Sequence, residues 1–273
     1  MIIKILRFII KRKPRGYATY ESRNFFHQVY LYFVNKSSTK HLSQIKKIKN
    51  SINGGRCFIF FTGTSTKDFD FGLIDGENVI ASGMAFLHPD FDKCNIVAYF
   101  NPGPWEPRSL EKMDIMFSSI YKKTKDGCHV IFDSTGYPYR NEIRSYREKD
   151  TYYISTNGNY LSSQDVNSEL HEVNNIQEGS LSLGLGVANY LGFKEIYLLG
   201  QDYLTDPPIY GHFYDGYHEK GEPASYKSYR ERASWMIEHV NKNGCKVINV
   251  IKNEKQTSSI ESVTFQDLEG LLN

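Results

Sequence analysis

Residues 190–203 read YLGFKEIYLLGQDY. Five residues, Glu195 to Leu199 (EIYLL), form a short apolar run with a turn signal at each end: Gly192 before it and Gly200-Gln201-Asp202 after it. A run of that length without polar alternation is the pattern of a strand covered on both faces, as in parallel sheets. The segment before it, SLSLGLGVANYL from Ser180, has helical length and stops at a glycine. Helix, short loop and buried strand together predict one crossover unit of a parallel α/β sheet.

Working outward, the same signature recurs. Cys57-Phe58-Ile59-Phe60-Phe61 follows the turn Asn53-Gly54-Gly55, and further runs lie at 78–82, 95–100, 128–132, 151–155 and 246–250. Helical patterns fall between them at 109–123, 180–191 and 225–243, with a short one from Phe265. Strands alternating with helices predict a doubly wound, mostly parallel Rossmann-like α/β sheet with helices on both faces. The 273 residues suffice for one large domain with an appendage. We read residues 1–52 as an N-terminal arm, residues 53–273 as the catalytic domain, and about 203–224 as a lid loop.

Open α/β sheets bind ligands beyond the carboxyl ends of their strands, where strand order reverses. The residues that follow each apolar run are therefore the ones to inspect. They are Thr62-Gly63-Thr64-Ser65, Ala81-Ser82-Gly83, Asn101-Pro102-Gly103-Pro104, Asp133-Ser134-Thr135-Gly136 and Gly200-Gln201-Asp202-Tyr203. The first loop lacks both G-x-x-x-x-G-K-[ST] and G-x-G-x-x-G, which excludes an NTPase phosphate loop and a dinucleotide fingerprint. Its free N–H groups suit an anion or ribose hydroxyls, although a plain tight turn has the same composition. Ser180, after Glu178-Gly179, is placed to N-cap the following helix and to face a phosphate there; a cap with no ligand reads the same.

Past Asp202, the stretch to Asp215 carries Tyr203, Tyr210, His212 and Tyr214. A loop with a histidine, tyrosines and glycines beyond a strand end suits a lid bearing a general base. A surface loop whose His212 only satisfies backbone groups is the plainer alternative.

With these motifs in hand, the chain resembles the bacterial glycosyltransferase family 42 sialyltransferases. It also resembles the wider group that carries the MptE-type 6-hydroxymethylpterin diphosphokinase-like domain. In that group the first strand runs into Gly-x-Gly-Pro-Ser-Leu-Lys-(Asp/Glu)-x-Asp, matched here by Thr62-Gly63-Thr64-Ser65-Thr66-Lys67-Asp68-Phe69-Asp70, with Thr64 in place of the proline. An aromatic-Asn-Pro ends the third strand, as Phe100-Asn101-Pro102 does here. Ala-Leu-Gly-Tyr-Lys-Glu-Ile-Tyr-Leu-x-Gly-x-Asp-Phe is matched by residues 190–203 at equal spacing from Ser180, and a lid Gly-His by Gly211-His212. The resemblance covers about residues 56–250.

The resemblance implies a GT-A-like variant of the Rossmann sheet. It also implies an inverting, metal-independent transfer of a nonulosonic acid from a CMP-sugar to a bacterial surface glycan. It places Thr62, Gly63, Thr64, Ser65, Asn101, Pro102, Gly179, Ser180 and Asp202 around the donor. His212 becomes the general base, and Tyr210 with Tyr203 the groups at the leaving phosphate. Asp202 organises the sheet edge in this reading. No cofactor beyond the donor is implied, and the partners are a nucleotide sugar and a glycan or glycolipid acceptor, with a homo-oligomer possible. Two alternatives stay open: another nucleotide-sugar transferase or an ATP- and magnesium-dependent diphosphokinase on the same scaffold, and a non-catalytic accessory protein of glycan assembly.

Composition bounds the rest. A formal charge of +2 does not call for a nucleic acid partner. The excess is local: Lys4, Arg7, Lys11, Arg12, Lys13 and Arg15 precede any acidic residue. MIIKILRFIIKRKPRG is too short and too charged for the roughly 20 apolar residues of a membrane span. It suits an interfacial helix through residues 1–16, hence a cytoplasmic protein peripheral to the inner membrane, or else a helix docked on the protein's own core. Cys57, Cys94, Cys128 and Cys245 form no C-x-x-C and read as buried free thiols, without a zinc site.

Overall fold

The computed structural model describes residues 41–52, 54–101, 110–133, 150–154, 156–157, 166, 169–171, 176–177, 179–215 and 224–272. Eight strands form one sheet: β1 (Arg56–Phe60), β2 (Asn78–Ser82), β3 (Asn95–Asn101), β4 (His129–Asp133), β5 (Thr151–Ile154), β6 (Glu195–Leu199), β7 (Lys246–Ile251) and β8 (Ser262–Thr264). Among the described residues, the helices that accompany them are α1 (Leu110–Lys123), α2 (Ser180–Leu191), α3 (Ala224–Lys242) and α4 (Phe265–Leu272). The spatial order is β8-β7-β6-β1-β2-β3-β4-β5, and every neighbouring pair is parallel.

That order has one reversal. The chain builds outward from β1 to β5, then returns to the other side of β1 with β6 and builds outward again. The switch point lies between β1 and β6, whose registers bring Phe60 beside Leu199. The doubly wound, Rossmann-like expectation is therefore met. β8 lay below the reach of the pattern, because three residues with Val263 as the one apolar member carry no period.

Alternation along each strand divides the core in two. Cys57, Ile59 and Phe61 join Ile196, Leu198 and Val247 under α2 and α3. Phe58 and Phe60 join Tyr197, Leu199, Ile248 and Val250 under α1 and α4. α2 has apolar and small residues on all sides because it is sandwiched between the sheet and α3, and ten of its residues are buried. Burial of side chains such as Phe58, Phe60 and Leu198 contributes about 1.5–3 kcal/mol each.

Residues 41–52, assigned to the arm on sequence, lie against this body. Ile45 and Ile48 are buried in the α2–α3 half of the core. The Asn50 and Ile52 N–H groups donate to the carbonyls of Tyr190 and Leu191. The basic segment 1–16 lies outside the described residues. Among the described residues, no helix is long and apolar enough to cross a membrane. All four cysteines are buried, and none is in a disulfide.

Candidate functional site at the sheet switch point

Two loops meet at the carboxyl ends of β1 and β6. The first runs Phe61-Thr62-Gly63 into a 3-10 turn, Thr64–Asp68. The second is Gly200-Gln201 followed by the turn Asp202–Leu204. They are joined by a main-chain bond, Gly63 N–H to Gly200 carbonyl at 3.2 Å. Contact is so close that a Cβ at Gly63 would lie 2.3 Å from the Gly200 oxygen and 2.8 Å from Asp202 Oδ2. Gly200 has φ +76°, and a Cβ there would lie 2.7 Å from Thr66 Cγ2. Two glycines are what allow strand ends to approach to this distance.

Asp202 is the knot. It is buried, and its carboxylate accepts from Thr64 Oγ1–H at 2.9 Å, Ser65 N–H at 2.8 Å and the Ser65 hydroxyl. These donors come from the β1 loop, so the carboxylate closes the switch point from inside. Its own carbonyl accepts from Ile209 N–H at 3.1 Å and Thr205 Oγ1–H at 2.6 Å. One residue therefore ties the β1 loop to the loop that follows β6.

The loop after β6 is held a second time. Thr205–Asp206 pairs antiparallel with Thr257–Ser258. The chain then returns to β1: Gly63 and His212 form an antiparallel bridge, and Phe213 N–H donates to the Thr62 carbonyl at 3.0 Å. His212 Nδ1 lies 2.9 Å from Thr62 Oγ1. The imidazole is exposed and stacks on Tyr214, with centroids 5.0 Å apart and planes 12° from parallel. Phe213 points the opposite way, packing edge-on against His88 (5.1 Å) and stacked near Phe60 (6.3 Å). Alternation along this short extended piece thus anchors one side chain in the core and presents its neighbours outward.

Sequence reasoning missed His88. It follows β2 by six residues, in Leu87-His88-Pro89-Asp90, beyond the strand-end residues inspected after that run. Its Nδ1 accepts from Asp90 N–H at 3.1 Å, so Nε2 carries the hydrogen that faces the Thr66 carbonyl at 3.2 Å. Burial lowers its pKa, opposed by that backbone contact and by Asp90. His88 is thus a neutral strut beneath the β1 loop, clasped by Phe60, Phe71 and Phe213.

Thr62, Gly63, Thr64, Ser65, Asp202 and His212 are brought together. The remaining candidates are placed differently. Asn101 ends β3, two strands from β1, and its amide points at Met116 Sδ, 3.1 Å away on α1. The Tyr203 ring packs on the α2–α3 half of the core, while its carbonyl accepts from Arg230 Nε–H at 2.8 Å. Tyr210 is buried in the loop that follows β6. Pro102 lies outside the described residues. Ser180 does not cap α2: Gly179, at φ +135°, is the cap residue, and Ser180 is the first helical residue, with an exposed side chain. The chain enters α2 through a positive φ that serine rarely adopts, which displaces the cap by one position. Among the described residues, no group of three or more His, Cys, Asp or Glu side chains is placed to hold a metal ion.

No family model and no curated protein matches the chain. Among solved structures it is similar to the MAf glycosyltransferase from Magnetospirillum magneticum AMB-1, at 15% identity and a TM-score of 0.48. That similarity covers 84% of this chain and 38% of the other, so the chain spans well under half of that protein's length.

Proposed function

We propose that the protein is an inverting glycosyltransferase that moves a nonulosonic acid from a CMP-sugar to a surface-glycan acceptor, with His212 as general base. The observation that carries this reading is the placement of His212: an exposed imidazole fixed by its Nδ1 edge to the β1 loop, at the sheet switch point. Ligands of open α/β sheets sit in that crevice. An imidazole, whose ordinary pKa is near 6.5, suits removal of a proton from a sugar hydroxyl near neutral pH.

The step balances without a further reagent. The acceptor oxygen forms a bond to the anomeric carbon as its proton passes to His212. The bond from that carbon to the phosphate oxygen breaks, and the electron pair leaves with CMP. Tyr210 is the group assigned to the departing phosphate; Tyr203, whose ring packs on the core, would have to turn to join it. The Asp202 carboxylate is taken up by Thr64 and Ser65, which favours an organising role over magnesium binding. Residues 1–16 would bring the enzyme to lipid-linked acceptors at the inner membrane surface.

A thermal-shift screen of CMP, CDP, UDP, GDP and ATP, with and without magnesium, tests the donor class. A shift with CMP in the absence of magnesium is expected. Selective stabilisation by ATP with magnesium would replace this reading by the diphosphokinase one. Transfer activity that survives His212→Ala would remove His212 as the base, and a wild-type protein that turns over no donor would point to an accessory role.

A further inference from the structure

Resting on the glycosyltransferase reading for its functional meaning, we propose that Thr62 is the positioning residue of His212. Its hydroxyl accepts the Nδ1–H of the imidazole and holds the tautomer whose Nε2 lone pair faces outward. Thr62 then belongs to the base and not to the lining of the donor.

The contact is built from both sides. Thr62 lies two residues past β1, and its carbonyl accepts from Phe213 N–H at 3.0 Å, while Gly63 and His212 form the adjacent bridge. The two main chains are therefore in register before the side chains meet. Oγ1 and Nδ1 then lie 2.9 Å apart. The Tyr214 ring, stacked on the imidazole with its plane 12° from parallel, limits rotation of His212 about its own axis. Two side chains on separate loops are thus fixed by backbone pairing and by stacking.

A threonine hydroxyl both donates and accepts, so the sense of the bond follows from the chemistry. Once His212 holds the acceptor's proton, both ring nitrogens carry hydrogen and Oγ1 can only accept. If the neutral ring also donates from Nδ1, the proton enters and leaves at Nε2 while the hydroxyl stays in place. The opposite sense would put hydrogen on Nε2, leaving no outward lone pair, and would require the hydroxyl to turn in every turnover. A pre-oriented partner avoids that reorganisation.

The test is long-range 1H–15N correlation spectroscopy of the full 15N-labelled chain. It is run about two pH units above the ordinary imidazole value of about 6.5, with the His212 signals assigned by their loss in His212→Gln. Wild type and Thr62→Ser are expected to show Nδ1 as the protonated nitrogen and Nε2 as the bare one. Thr62→Val, of equal shape, is expected to lose that pattern. An Nε2–H tautomer in wild type, or a Thr62→Val spectrum identical to wild type, overturns the proposal. The spectrum needs no turnover, so a protein that transfers nothing still gives the answer, and the two readings fail separately. Where transfer is measured, Thr62→Val should lower kcat about tenfold or more, part of the roughly 10²–10⁴-fold that general acid–base catalysis supplies. Donor KM should hold within about twofold, and Thr62→Ser should restore kcat. A raised donor KM with unchanged kcat would return Thr62 to the donor pocket.

Discussion

Removing the Asp202 carboxylate measures how firmly the switch point is held together. In Asp202→Ala, three donors lose their acceptor: Thr64 Oγ1–H, Ser65 Oγ–H and Ser65 N–H. The hydroxyls can turn to other partners or to water. The Ser65 amide cannot, because Ser65 is only 7% exposed and its N–H is fixed by the 3-10 turn. A stranded buried N–H costs about 1–3 kcal/mol, and each lost hydroxyl bond about 1 kcal/mol or less after reorientation. The expected loss is about 3 kcal/mol.

Asp202→Asn keeps one carbonyl oxygen for the Thr64 Oγ1–H and the Ser65 N–H. Its amide group can donate to the Ser65 hydroxyl, which then turns to accept. Only charge assistance is lost, about 1–2 kcal/mol. Urea unfolding with a common slope should therefore order the midpoints wild type, Asn, Ala. A cycle with Ser65→Ala should show coupling of at least about 1 kcal/mol to Asp202→Ala, because the two side chains share one network. Additivity within about 0.5 kcal/mol, or an Ala midpoint equal to that of Asn, would refute the reasoning.

Substitutions at three other positions have outcomes that can be worked out in the same way. Gly63→Ala would drive a methyl into the Gly200 carbonyl and Asp202, and should cost about 2–4 kcal/mol from overpacking plus a lost backbone bond. Gly270→Ala, in α4 with no atom within 4 Å of the new methyl, should stabilise by about 0.5–1 kcal/mol, and thermal unfolding of both variants checks the contrast. Burial lowers the pKa of His88, so the folded ring resists a proton that the unfolded chain takes up below about 6.5. The stability tied to His88 is full above that value and is lost as pH falls through it toward the lower folded value. The stability gap between wild type and His88→Phe should therefore shrink on acidification, and a pH-independent gap in urea unfolding would contradict the assignment.

Much of the frame was legible because parallel strands are apolar on both sides. CFIF, NVIAS and EIYLL announce themselves without reference to partners. What the letters could not convey is which strand lies beside which. That β6 returns beside β1 is a property of the closed sheet, and only then does Asp202 meet Ser65 across 137 residues of chain. The carboxylate's position was readable from Gly-Gln-Asp, whereas its partners were not. Ser180 misled because a serine before a helix fits a cap, and the positive φ that hands the cap to Gly179 leaves no mark in composition. His88 escaped because its work is contact with Phe60, Phe71 and Phe213, drawn from three separate parts of the chain.

The reversal of strand order also shapes how the molecule is assembled. β1 is central in the finished sheet, yet it is the outer edge of everything that precedes β6. Until β6 docks, Cys57 to Phe60 offers a row of open N–H and C=O groups flanked by aromatic side chains, the kind of edge that pairs with other chains. Closing it needs a parallel partner more than a hundred residues downstream, a slow, long-range event. The contacts that close this edge also join the β1 and β6 loops, so a chain that still exposes β1 has not assembled the switch point.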